Sequence, residues 1–124
     1  MQGLHILAEL HDCACERPLL HEVPPLKDLC LDACHRSGLT PVAEAFHAFG
    51  EPGAPAGATG AVVLAESHLA VHTWPEIGAV TIDLYVCNFS RDNSAAAEAC
   101  FQRLRAAFRP TRVVRRDVAR GEIG

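Results

Sequence analysis

Val80-Thr81-Ile82-Asp83-Leu84-Tyr85-Val86-Cys87 is the stretch on which the fold turns. Val80, Ile82, Leu84 and Val86 make one face, while Thr81, Asp83, Tyr85 and Cys87 make the other. Strict alternation over residues 79–87 is the mark of a half-buried strand. The second face is too polar for a deep core and too reactive for plain solvent. One layer of helices must therefore cover the apolar face, leaving the polar face for a partner or a ligand.

Outward from this strand, residues 68–74 form a strand ended by Pro75, and residues 59–65 a nearly all-apolar one. Residues 50–57, Gly50-Glu51-Pro52-Gly53-Ala54-Pro55-Ala56-Gly57, are dominated by glycine and proline and read as a loop without regular structure. Residues 41–49 make another strand. Before it, Pro24-Pro25 opens a helix that carries Leu26, Leu29, Cys30, Ala33 and Ser37 on one stripe and stops at Gly38. Residues 12–22 read as a connection, and residues 4–11 alternate as the first strand. After Cys87, a polar turn from Asn88 to Ser94 leads to a helix with Ala97, Cys100, Phe101, Leu104 and Phe108 on its buried stripe. Arginines suit its C-terminal end, Pro110 ends it, and residues 111–118 form the last strand. The predicted fold is α+β, in the order β-α-β-β-β-β-α-β. It is a two-layer α/β sandwich with two helices on one face of a mostly antiparallel sheet.

At 124 residues the chain is expected to be a single domain, 1–124, with one core. No run approaches eighteen uninterrupted apolar positions, so no membrane helix is expected, and the N-terminus lacks the pattern of a signal peptide. Six cysteines without a secretory signal point to reduced thiols and a cytoplasmic location. Neither Cys13-Ala14-Cys15 nor Cys30 to His35 has the spacing of a structural zinc site, so no metal is expected. The net charge of −4, with basic residues gathered only at Arg112, Arg115, Arg116 and Arg120, argues against nucleic acid and suits a cationic small substrate.

Candidate chemistry concentrates in Leu64-Ala65-Glu66-Ser67-His68-Leu69-Ala70-Val71-His72-Thr73-Trp74-Pro75-Glu76. One serine, two histidines and two carboxylates fall there where rigid elements meet. A hydroxyl beside a reachable carbonyl permits an N→O acyl shift, and a histidine of near-neutral pKa is a suitable base for a following elimination. Ser67 and His72 are five residues apart, so an unbroken strand would put them on opposite faces. A bend or bulge is therefore expected around Glu66–His68. Cys87, taken alone, reads as a half-buried cysteine at a strand edge.

This segment resembles the processing-site signature of bacterial S-adenosylmethionine decarboxylase proenzymes. The likeness extends to Met1-Gln2-Gly3-Leu4-His5, Phe46-His47-Ala48-Phe49, Val80 to Cys87 and, more faintly, Arg120-Gly121-Glu122-Ile123-Gly124. The resemblance implies autocatalytic cleavage between Glu66 and Ser67 into a β chain (1–66) and an α chain (67–124). Ser67 would become a covalent pyruvoyl cofactor, His72 would assist processing, and Cys87 would donate the proton in decarboxylation. Thr59 stands where the family usually has a serine that helps processing, and its extra methyl restricts the rotamer. Phe49 is a candidate to stack on adenine, Glu76 to orient the site or face the substrate cation, and Glu66 and His68 to border the pocket. The implied product is the aminopropyl donor for spermidine synthesis.

Two features depart from the family pattern: the 50–57 loop, and the lack of a glycine directly after Cys87. They leave open a pyruvoyl-dependent ornithine or arginine decarboxylase, and an unprocessed binding or regulatory domain is a third reading. The polar sheet face, like the resemblance, implies a homodimer.

Overall fold

A computed structural model describes residues 2–89 and 91–121. Six strands form one sheet: β1 (Gly3–His11), β2 (Pro41–Glu51), β3 (Ala54–Leu64), β4 (His68–Trp74), β5 (Ala79–Cys87) and β6 (Arg112–Arg120). The order across the sheet is β2-β3-β4-β5-β1-β6, and every neighbouring pair is antiparallel. Helices α1 (Arg17–His21), α2 (Val23–Arg36) and α3 (Ser94–Phe108) lie on one face, and a single 3₁₀ turn, Pro75–Ile77, links β4 to β5. The architecture is the expected two-layer α+β sandwich.

The core lies between sheet and helices. Alternate residues Ile6, Leu10, Val71, Ile82 and Leu84 are buried there against Leu26 and Cys30 of α2. Every residue of the predicted α3 stripe is fully buried. Asp92 Oδ1 accepts the Ser94 amide at the start of α3 (2.9 Å), and Arg109, in the left-handed region (φ 52°), closes the helix before Pro110. All six cysteines are free thiols. Cys34 and Cys100, with sulfurs 4.0 Å apart, join α2 to α3 inside the core.

Three expectations are corrected. Residues 12–22 hold α1, which is too short to display a helical period; Pro18 sits in its first turn and Leu20 anchors it in the core. Residues 50–57 are not a loop but most of a hairpin, since β2 runs to Glu51 and β3 starts at Ala54. Glycine and proline fit there because β2 is an edge strand: Gly50 (φ 86°) follows a register shift after Ala48, and Gly53 (φ 87°) makes the turn. The layer thus contains three helices rather than two. The Arg120–Gly124 stretch lies outside the described residues from Glu122 onward, as do Met1 and Ser90.

Candidate active site at the β3–β4 hairpin

The bend expected near Glu66–His68 is the hairpin itself. Leu64 N donates to Ser67 O (2.9 Å) and Ser67 N to Leu64 O (3.4 Å), leaving Ala65 and Glu66 as a two-residue turn. Neither has a positive φ. The turn is therefore not of the primed kind that follows the strands' twist, and it presents the Glu66–Ser67 peptide at the tip of the hairpin. Glu66 is exposed and Ser67 half-buried. Ser67 Oγ accepts a hydrogen bond from the Cys87 amide (3.2 Å), so serine and cysteine, twenty positions apart, meet at the ends of adjacent strands.

A second clamp fixes that end of β5. Asn93 Nδ2 donates to the Cys87 carbonyl (2.9 Å), and the Asn93 amide donates to Asn88 Oδ1 (2.7 Å). Asn93 is one of two buried polar residues in the described chain. The sequence reading missed it; the only signal was its place in a polar turn directly after Cys87. Beside the hairpin lies a hollow of about 350 Å³, lined by Thr40, Glu66, Ser67, Arg91 and Asn93 among others.

The remaining candidates sit on the sheet face away from the helices. Thr59 and His72 are register partners on β3 and β4, and the threonine hydroxyl is hydrogen-bonded to the imidazole Nδ1. His72 also borders a hollow of about 260 Å³ with Phe49, Trp74 and Glu76. Phe49 meets the His47 ring edge-on at 5.1 Å. Nearer the hairpin, His68 lies beside Tyr85 (ring centroids 5.5 Å) and His5 (6.4 Å), and His5 Nε2 is 3.3 Å from Asp83 Oδ1. Partial burial, then the charges of His5 and Arg120, hold His68 below its ordinary 6.5, so its ring is neutral at pH 7.

The candidates thus fall into two groups. Glu66, Ser67, His68 and Cys87 gather at the hairpin. Thr59, His72, Phe49 and Glu76 gather toward the other end of β4. Five strand residues at about 3.3 Å each separate Ser67 from His72 by roughly 16 Å. The His72 ring faces Thr59 across the strands, not back along its own strand toward the turn.

The family model of S-adenosylmethionine decarboxylase matches residues 4–121. The chain belongs to the S-adenosylmethionine decarboxylase family. Among its relatives, an S-adenosylmethionine decarboxylase proenzyme 1 of Bacillus cereus is 39% identical over 107 residues, 86% of this chain and 78% of that one. The S-adenosylmethionine decarboxylase proenzyme of Thermotoga maritima is 38% identical over 111 residues, covering 90% and 78% respectively. The crystal structure of the adenosylmethionine decarboxylase from Aquifex aeolicus VF5 superposes with a TM-score of 0.85 at 30% identity, across 98% of this chain and 92% of that one. The two-layer architecture described here is therefore that of a solved member of the S-adenosylmethionine decarboxylase family.

Proposed function

We propose that this protein decarboxylates S-adenosylmethionine after cutting its own chain between Glu66 and Ser67. The reading is carried by the Ser67 hydroxyl held on the Cys87 amide at the tip of the β3–β4 hairpin, within a family match that spans residues 4–121. Processing begins when Ser67 Oγ attacks the Glu66 carbonyl carbon, so that the peptide bond becomes an ester. Removal of the Ser67 α-proton by a histidine then expels the Glu66 carboxylate, and hydrolysis of the remaining enamine releases ammonia. The products are a β chain of residues 1–66 and an α chain that begins with a pyruvoyl group at position 67. That group supplies an electrophilic carbonyl that captures the substrate amine and withdraws the electron pair left by departing CO₂.

The chain's own residues do the rest. The Cys87 thiol donates a proton to the substrate carbon from one side, and the Asn93 clamp fixes the backbone that carries it. Phe49 presents an aromatic face for adenine, and Glu76, in the same hollow, holds the cationic or hydroxyl-bearing part of the nucleoside. The aromatic hollow favours a nucleoside-bearing substrate over ornithine or arginine. Loss of CO₂ leaves the aminopropyl donor used in spermidine synthesis.

The roughly 16 Å between the two groups, five residues at the strand rise, supports a homodimer in which each site is shared. His72 and Thr59 of one copy serve Ser67 of the other, and a two-fold axis generates two such sites. Val63, Trp74 and Val118 are each close to half exposed on the strand face that helices leave uncovered, which supports that face as the contact. No helix among the described residues is long and apolar enough to cross a membrane. Six free thiols suit a reducing, cytoplasmic setting.

Denaturing mass spectrometry tests the reading. Freshly purified protein is expected as two fragments, and a carbonyl reagent should trap only the one that starts at position 67. Ser67→Ala is expected as one intact chain. An uncut wild-type chain overturns the proposal. Release of labelled CO₂ from ornithine or arginine but not from S-adenosylmethionine overturns the substrate assignment.

A further inference from the structure

Tyr85 lies on the uncovered sheet face two residues before Cys87, so both side chains leave β5 on the same side. Across the sheet, Gly3 of β1 is the register partner of Cys87 on one side and of Arg120 on the other. A Cβ built at Gly3 would stand 2.7 Å from Tyr85 Cε1 and 2.9 Å from its hydroxyl oxygen. The tyrosine ring therefore does not stand up from the sheet. It is laid over Gly3, and its hydroxyl is brought toward the strand position that faces Cys87. The Arg120 guanidinium covers the ring at 4.5 Å from its centroid. His5 of β1 and His68 of β4 flank it, with centroids at 6.2 and 5.5 Å. Glycine below, arginine above and two imidazoles beside hold the ring, with its hydroxyl over the residue that is the register partner of Cys87.

We propose that Tyr85 is the positioning residue for Cys87, its hydroxyl donating to the sulfur so that the thiol is aimed and its conjugate thiolate is stabilised. This rests on the reading of Cys87 as proton donor. When Cys87 gives its proton to the substrate carbon, the sulfur becomes a thiolate that still accepts the phenol hydrogen bond. The phenol keeps its proton throughout, and the thiolate is reprotonated from solvent. Tyr85 is suited to this because partial burial, then the neighbouring Cys87 thiol, hold it above its ordinary 10.0, while Arg120 pulls the other way. The charged or titratable groups facing the pair are His5 from β1, His68 from β4, Asp83 from β5 and Arg120 from β6.

The test measures alkylation of Cys87 by iodoacetamide between about pH 6 and pH 10, read by peptide mapping. It is done on the processed enzyme and on the uncut Ser67→Ala chain, so that the readout does not depend on activity. Tyr85→Phe keeps the ring on Gly3 and under Arg120 and removes only the donor. Because a thiolate is stabilised by a hydrogen bond to it, the variant is expected to alkylate Cys87 about threefold to tenfold more slowly near pH 8, with the midpoint moved upward. The other five cysteines should react as before. Arg120→Met, which frees the ring without touching the hydroxyl, is expected to shift the profile in the same direction by less. In turnover, Tyr85→Phe should lower kcat with little change in KM and displace the pH profile. An unchanged Cys87 alkylation profile in Tyr85→Phe overturns the proposal. Full decarboxylation by Cys87→Ala would instead remove the proton-donor reading beneath it, a separate and separately visible failure.

Discussion

If the histidine that acts on Ser67 comes from a second copy, two crippled chains should repair each other. His72→Ala keeps the serine and loses the base; Ser67→Ala keeps the base and loses the serine. A heterodimer of the two contains one site with both groups and one with neither. The structure sets the magnitude. Ser67 and His72 of one chain are roughly 16 Å apart at the strand rise, whereas an imidazole reaches only about 5 Å from its own Cα at ordinary bond lengths. Catalysis within one chain would need the hairpin to come apart. His72→Ala alone should therefore cut itself about a hundredfold more slowly, the usual cost of losing a general base. When the two variants are co-expressed in equal amounts and pair at random, roughly half of the His72→Ala chains acquire a Ser67→Ala partner under two-fold pairing. Cleaved fragments carrying the His72→Ala mass signature should then approach that half, while the Ser67→Ala chains remain whole. Intact-mass spectrometry with one variant isotopically labelled counts both. If His72→Ala chains stay as uncut in the mixture as they are alone, the site is not shared, and the reasoning from strand geometry fails.

Other consequences are open to direct measurement. A methyl at Gly60 would lie 2.1 Å from two ring carbons of Phe46, so Gly60→Ala must displace that ring, with an expected loss of about 1–3 kcal/mol in urea unfolding. Thr73, buried on β4, accepts the Ala58 amide (2.9 Å) and donates to the Leu20 carbonyl (2.7 Å), tying α1 to the sheet. Thr73→Val leaves both groups short of a partner and should cost about 1–3 kcal/mol by the same assay. His68 is expected to titrate below 6.5 by NMR, and Arg120→Gln should bring its midpoint back up. Because the folded value is the lower one, the unfolded chain binds the proton more readily. The stability linked to His68 is thus fully present above pH 6.5 and declines as pH falls below it.

The sheet was legible because its strands are two-faced: the alternation from Val80 to Cys87 assigns each of those side chains to the face where the structure has it. The α3 stripe was legible for the equivalent reason at helical period. The five residues of α1 offer less than two turns, and its reason for being helical is tertiary, Leu20 entering the core. In residues 50–57 composition points to a loop where the structure has most of a hairpin. Gly50 and Pro55 are register partners in a hairpin whose edge position and register shift accommodate both residue types. What a linear reading could not supply was register. Nothing in the chain says that Gly3 faces Cys87, or that Arg120 comes to rest on Tyr85, because each contact depends on which residue of one strand stands opposite which residue of the next.

The spacing between Ser67 and His72 carried more than either residue alone. An odd separation within a strand cannot put two groups on one face, so a site that needs both must break the strand or borrow one of them. The chain does the first, since β4 begins at His68 and Ser67 belongs to the turn. That frees Ser67 from the alternation but leaves the distance along β4 untouched, and His72 is committed to Thr59 at the far position. A two-fold axis near the middle of β4 on the uncovered face would place the far group of each copy over the hairpin of the other. The same short stretch would then furnish both halves of two sites. On this geometry the close spacing seen in the sequence would be a distance between two active sites rather than the width of one, and dimerisation would be a requirement for the elimination that cuts the chain.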